Sequence, residues 1–159
     1  LLQKKIDSVK LPYTVSNAGV SGDTTAGGLR RVDWAMGKGA DILIIALGGN
    51  DGLRGIPPEE TKKNLLGIVK KARSKNPEIH IFIAGMEMPD NMGADFVEAF
   101  KATFPEAAKE SKSTLVPFLL EGVGGVAKLN QADRIHPTAE GQEVVAENVW
   151  EILKPALNH

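Results

Sequence analysis

Apolar positions along this chain of 159 residues follow two alternating patterns. Asp41-Ile42-Leu43-Ile44-Ile45-Ala46-Leu47 and Ile79 to Ala84 are short, nearly continuous apolar runs, which predict strands buried on both faces of a parallel sheet. Tyr13 to Asn17 and Thr114 to Phe118 read as two further short strands. Between them the apolar period lengthens to that of a helix. Thr24 to Met36 predicts a helix capped by Asp23 or Thr24, and Pro57 to Asn76 predicts one whose Leu65, Ile68, Val69 and Ala72 share a face. Gly93 to Lys112 and Ala139 to Leu157 follow, and Leu1 to Ser8 is helix-like without a cap.

Strands separated by helices predict right-handed βαβ units, hence an α/β fold with helices on both faces of a mainly parallel sheet. The length suits one domain over residues 1–159, with no linker, internal repeat or low-complexity stretch. Ligands of such sheets bind at the carboxyl ends of the strands. Gly22, Asn50, the Met86 to Asn91 loop and the Asp133/His136 segment all fall on that side, so three loops bearing candidate chemistry are expected to converge on one rim.

Composition narrows the function classes. Charged residues make up 25% and the net charge is -1, so the basic pairs Lys4-Lys5, Arg30-Arg31, Lys62-Lys63 and Lys70-Lys71 read as solvated helix faces and no nucleic-acid partner is expected. The chain has no cysteine, which excludes disulfides and thiolate metal sites within it. No apolar run approaches the ~20 residues of a membrane span, and Leu1-Leu2-Gln3-Lys4 is not a signal peptide.

Three segments carry candidate chemistry, and each has an ordinary structural reading beside it. Asp133-Arg134-Ile135-His136-Pro137 places a carboxylate three residues before an imidazole, a spacing at which the acid can fix the ring's tautomer while the other nitrogen faces a substrate. The same residues also suit a plain surface loop before a helix, and two ligands do not complete a metal shell. Gly48-Gly49-Asn50-Asp51 ends a strand, where Asn50 offers a neutral donor to a developing oxyanion, or else the run is a common turn. Ser21-Gly22-Asp23-Thr24 suits a helix cap, or a phosphate cradle at a helix N-terminus. Gly122-Val123-Gly124-Gly125-Val126-Ala127 formally fits a dinucleotide fingerprint, but loop rather than a long helix is expected after it.

Taken together, Gly22, Gly48-x-Asn50-Asp51 and Asp133-x-x-His136 resemble, in order, the motifs of the SGNH (GDSL) hydrolases. Asn17-Ala18, Gly52-Leu53-Arg54-Gly55, Glu98-Ala99-Phe100 and Pro117-Phe118 extend the similarity toward the bacterial thioesterase/lysophospholipase and arylesterase branch. The resemblance implies a flavodoxin-like three-layer α/β/α sandwich. It further implies hydrolysis of carboxylic esters and thioesters through an acyl-serine, without cofactor or metal, in a periplasmic or secreted setting. His136 would be general base, Asp133 its orienter, and Asn50 with the Gly22 N–H would serve the oxyanion. Asp51 to Ile56 would be a mobile loop beside an acyl pocket lined by Met86, Met88 and Pro89. A carbohydrate acetylesterase, or a non-catalytic binding module, is the alternative.

Leu1–His159 contains no Gly-Asp-Ser-Leu block, where the family places its serine at the end of a central first strand. That strand and its nucleophile are therefore expected upstream of Leu1. The segment on its own is expected to fold poorly and to be inactive, because a missing central strand orphans backbone donors and acceptors.

Overall fold

The computed structural model describes residues 1–37 and 39–157. In chain order the elements are α1 (Leu2–Ser8), α2 (Thr25–Ala35), β1 (Ile42–Ile45), α3 (Gly49–Leu53), α4 (Pro58–Lys75), β2 (His80–Ala84), α5 (Ala94–Glu110), β3 (Thr114–Val116) and α6 (Ala139–Leu153). Short 3-10 turns at Asp90–Met92, Ala127–Leu129 and Lys154–Leu157 complete them. The chain divides into two compact units, one of Gly19–Pro117 and one that joins Leu1–Ala18 to Phe118–His159.

Within Gly19–Pro117, three parallel strands lie in the order β1-β2-β3, with Ile44 opposite Phe82 and Ile83 opposite Leu115. Apolar burial holds this unit together. Leu65, Ile68, Val69 and Ala72 of α4 form the buried stripe that their spacing predicts, packed with Ile81 and Ile83 of β2 and with Phe100, Phe104 and Ala107 of α5. Each fully buried Leu, Ile or Phe contributes roughly 1.5–3 kcal/mol.

The expected strand over Asp41 to Leu47 is shorter and less enclosed than its composition suggests. β1 pairs only with β2 among the described residues, Ile42 to Ile44 are half-buried, and Ala46 is exposed. An apolar run reports what a strand is able to bury, whereas the number of neighbours decides what it does bury.

A glycine governs the exit from β1. Gly48 has φ +118°, and a Cβ there would stand 2.8 Å from the Phe104 ring, so both backbone conformation and packing demand glycine. The chain then turns at once into α3, a helix that the run of turn residues over Gly48 to Asp51 concealed.

In the other unit α1 meets α6. Ile6 is buried, and Lys5 pairs with Glu147. The predicted strand at Tyr13 to Asn17 does not form. Two of its backbone polar groups are met by one side chain: Gln3 donates from Nε2 to the Tyr13 carbonyl and accepts the Val15 N–H at Oε1, at 3.0 and 2.7 Å. A single amide thus imitates the rung of a ladder, which periodicity does not reveal. Thr138 caps α6 through Gly141 N–H at 3.2 Å. Among the described residues no helix is long and apolar enough to cross a membrane.

Gly48→Ala should lower unfolding free energy by at least about 2 kcal/mol, from left-handed strain plus overpacking against Phe104. Urea denaturation checks it, and an unchanged midpoint would refute the close-approach argument.

Candidate active site

The Asp133/His136 loop is closed at its base and wired from within. Asn130 and Pro137 form an antiparallel bridge, Gln131 N–H donates to the His136 carbonyl at 2.7 Å, and Gln131 Nε2 donates to the Pro137 carbonyl at 3.2 Å. Below this, buried Asn130 donates to the carbonyls of Val123 and Val126, at 2.6 and 2.9 Å. Arg134, with φ +59°, turns the chain inside the loop.

That turn lets one carboxylate serve two purposes. Asp133 Oδ1 accepts the N–H groups of Ile135 and His136 at 2.9 and 3.0 Å, while Oδ2 lies 2.7 Å from His136 Nδ1. The backbone N–H groups of His136 and Ile135, followed by the ring, hold the Asp133 carboxyl down at about 2. At neutral pH it is therefore an acceptor only, so Nδ1 of His136 is the donor and the neutral ring keeps its lone pair on Nε2. The His136 side chain is 66% exposed, which leaves that nitrogen open to an incoming group.

The Gly19–Pro117 unit brings Gly22 and Asn50 together by a different construction. Three backbone sites between Gly22 and Thr25 are each held by a side chain from α3 or its end. Arg54 Nη2 donates to the Gly22 carbonyl at 3.0 Å, Asn50 Nδ2 donates to the Asp23 carbonyl at 2.9 Å, and Asp51 Oδ2 accepts the Thr25 N–H at 2.9 Å. The Asn50 amide spends one N–H on Asp23 and has a second to offer. Gly22, with φ +74°, is exposed.

Thr24 is the cap of α2, accepting Gly27 N–H at 3.2 Å. With the Thr25 amide given to Asp51 as well, two first-turn donors of α2 are already satisfied, one of them by a carboxyl group. The Thr24 N–H is likewise taken, by Asp23 Oδ1 at 2.9 Å, so the amides that a phosphate cradle over Ser21 to Thr24 would need are already paired. The dinucleotide reading of Gly122 to Ala127 fails too, because only the three-residue turn Ala127–Leu129 follows it. The Asp51 to Ile56 segment begins as helix, with Asp51 fully buried. From the end of β2, Met88 lies against Gly52 of that helix.

Comparison with known proteins shows the family. A family model described as "GDSL-like Lipase/Acylhydrolase family" matches residues 2–144. The chain belongs to this GDSL-like family. It is 44% identical over 158 residues to "Esterase TesA" of Pseudomonas aeruginosa, covering 99% of this chain and 78% of that protein. It is 35% identical over 147 residues to "Thioesterase 1/protease 1/lysophospholipase L1" of Escherichia coli K12, covering 92% of this chain and 70% of the relative. Among solved structures it superposes, with TM-score 0.90 and 29% identity over 99% of this chain and 86% of the other, on the psychrotrophic esterase EstA from Pseudoalteromonas sp., in a structure inhibited by monoethylphosphonate. The α/β fold with its parallel sheet is that of the GDSL-like hydrolases.

For this GDSL-like chain, the residues that sequence reasoning singled out are joined by several that it passed over. Gln131 and Asn130 shape the Asp133/His136 loop, and Thr25 and Thr61 shape the Gly22/Asn50 loops. None carries a type-specific signal, since each acts through a backbone group or a buried polar contact that only the fold creates.

The low value for Asp133 is testable by carbon-detected NMR titration. Its midpoint should lie near 2, well below 3.8, and His136→Ala should raise it only partway, because the backbone N–H groups of residues 135 and 136 remain. Since the folded value is depressed, the stability this carboxylate adds is present above about pH 4 and disappears as pH falls through about 2. A midpoint at the ordinary value would contradict the wiring.

Proposed function

We propose that the protein that contains this chain hydrolyses carboxylic esters and thioesters through an acyl-serine, with His136 moving the proton, Asp133 orienting its ring, and Asn50 and Gly22 receiving the oxyanion charge. The observation that carries this reading is the 2.7 Å contact of Asp133 with His136 Nδ1, made by a carboxylate whose second oxygen is already fixed by backbone. Relatives named as esterase and as thioesterase/lysophospholipase favour it over a carbohydrate acetylesterase or a non-catalytic module.

In the reaction, a serine oxygen attacks the carbonyl carbon while Nε2 of His136 takes its proton, and the carbonyl π electrons move to oxygen. Asp133 holds the resulting imidazolium by the Nδ1–H bond. The second Asn50 N–H and the Gly22 N–H stabilise the oxyanion with neutral donors, which form no salt bridge with it. His136 then returns the proton to the departing alcohol or thiol. Water repeats the sequence on the acyl-serine and releases the acid. The chemistry calls for no cofactor, and a periplasmic or secreted setting belongs to the same reading.

Turnover of short p-nitrophenyl esters by the full-length natural protein tests these roles. His136→Ala should abolish it. Asn50→Ala should slow it by about 100-fold or more, since it removes an oxyanion donor, while stability falls by only about 1 kcal/mol for the lost bond to Asp23. Wild-type rates in both variants would reject the mechanism.

A further inference from the structure

Asp51 is the most anomalous side chain of the Gly19–Pro117 unit. Its relative exposure is 0%, yet the groups that meet it among the described residues are those of two threonines, Thr25 and Thr61. Burying a carboxyl group is costly unless its oxygens are satisfied, so its partners show what the fold gains from it. Oδ2 accepts the Thr25 backbone N–H at 2.9 Å. Oδ1 accepts the Thr25 hydroxyl, with the Thr61 hydroxyl farther off at 3.4 Å. Asn64 Nδ2 in turn donates to Thr25 Oγ1 at 3.1 Å, which leaves the Thr25 hydroxyl hydrogen to point at Asp51. The group thus joins the first turn of α2 to α3 and α4.

We infer that Asp51 is a positioning residue that sets the spacing between the two oxyanion donors. The inference rests on the role proposed above for Asn50 and Gly22. Asn50 precedes Asp51 on α3, and its side chain is clamped to the Asp23 carbonyl, two residues before the Thr25 amide that Asp51 holds. Gly22 lies one residue further back. Any slip of the 22–25 segment along α3 therefore moves the Gly22 N–H and re-aims the Asn50 amide at once, and Asp51 is the buried contact that prevents the slip.

Asp51 sets a spacing between two donors, and with Asn50 gone there is no second donor to space against Gly22. In the full-length enzyme, Asp51→Asn should lower kcat by about 10- to 100-fold with KM within about threefold, because the loss falls on the transition state. In an Asn50→Ala background the same substitution should lower kcat by less than about twofold further. Thr25→Val keeps the backbone N–H and removes the hydroxyl donor, and it should give a smaller kcat loss that the Asn50→Ala background absorbs in the same way. It decides the matter if Asp51→Asn does not fold. Additive losses, or a loss confined to KM, would overturn the positioning role while leaving the oxyanion role intact. An Asn50→Ala enzyme with wild-type kcat would overturn both.

Discussion

A carboxyl group shut off from solvent has to be met by hydrogen-bond donors, and Asp51 meets them on α2 and α4. Leaving any of its oxygens unanswered would cost on the order of 1–3 kcal/mol, a sizeable part of the ~5–15 kcal/mol by which domains are stable. The cluster therefore fixes where α2 begins relative to the end of β1. Everything near Gly22 inherits that placement.

The close approach of β1's exit to α5 serves the same geometry. Gly48 lies under the Phe104 ring, in a conformation that only glycine enters without strain, and the next residue starts α3. A side chain at position 48 would push α3 away from the core and, with it, Asn50, Asp51 and Arg54. Apolar packing around Phe100 and Phe104 thus bears on polar contacts at the Gly22 loop. Met88 against Gly52 confines α3 from a further direction, which is a use of methionine as much structural as pocket-forming.

How far the amino-acid order discloses this depends on the range of each interaction. The stripe Leu65, Ile68, Val69 and Ala72 was legible because a helix expresses its burial within a few residues of itself. β2 and β3 were legible for similar reasons, though β3 stops at Val116 rather than Phe118. Tyr13 to Asn17 misled because alternation measures strand propensity, whereas the Tyr13 carbonyl and the Val15 N–H pair with the Gln3 side chain. α3 was missed because Gly, Asn and Asp favour turns when isolated, and here the Gly48 conformation and the buried Asp51 override that preference.

The two halves of the candidate chemistry divide along the same line. Asp133 and His136 are three residues apart, and the bonds that orient them involve residues 131 to 137, so a motif written in consecutive positions nearly states its own geometry. Gly22 and Asn50 are joined across separations of 26 to 32 residues, through two carbonyls and one amide that any sequence possesses. A general base needs a defined tautomer, and one nearby carboxylate supplies it. An oxyanion site needs two donors at a fixed distance, and backbone N–H groups keep that distance only when the chain on both sides is immobilised. Such immobilisation is a property of packing, so it resides in residues like Asp51, Thr25 and Thr61, whose side chains touch one another in the interior.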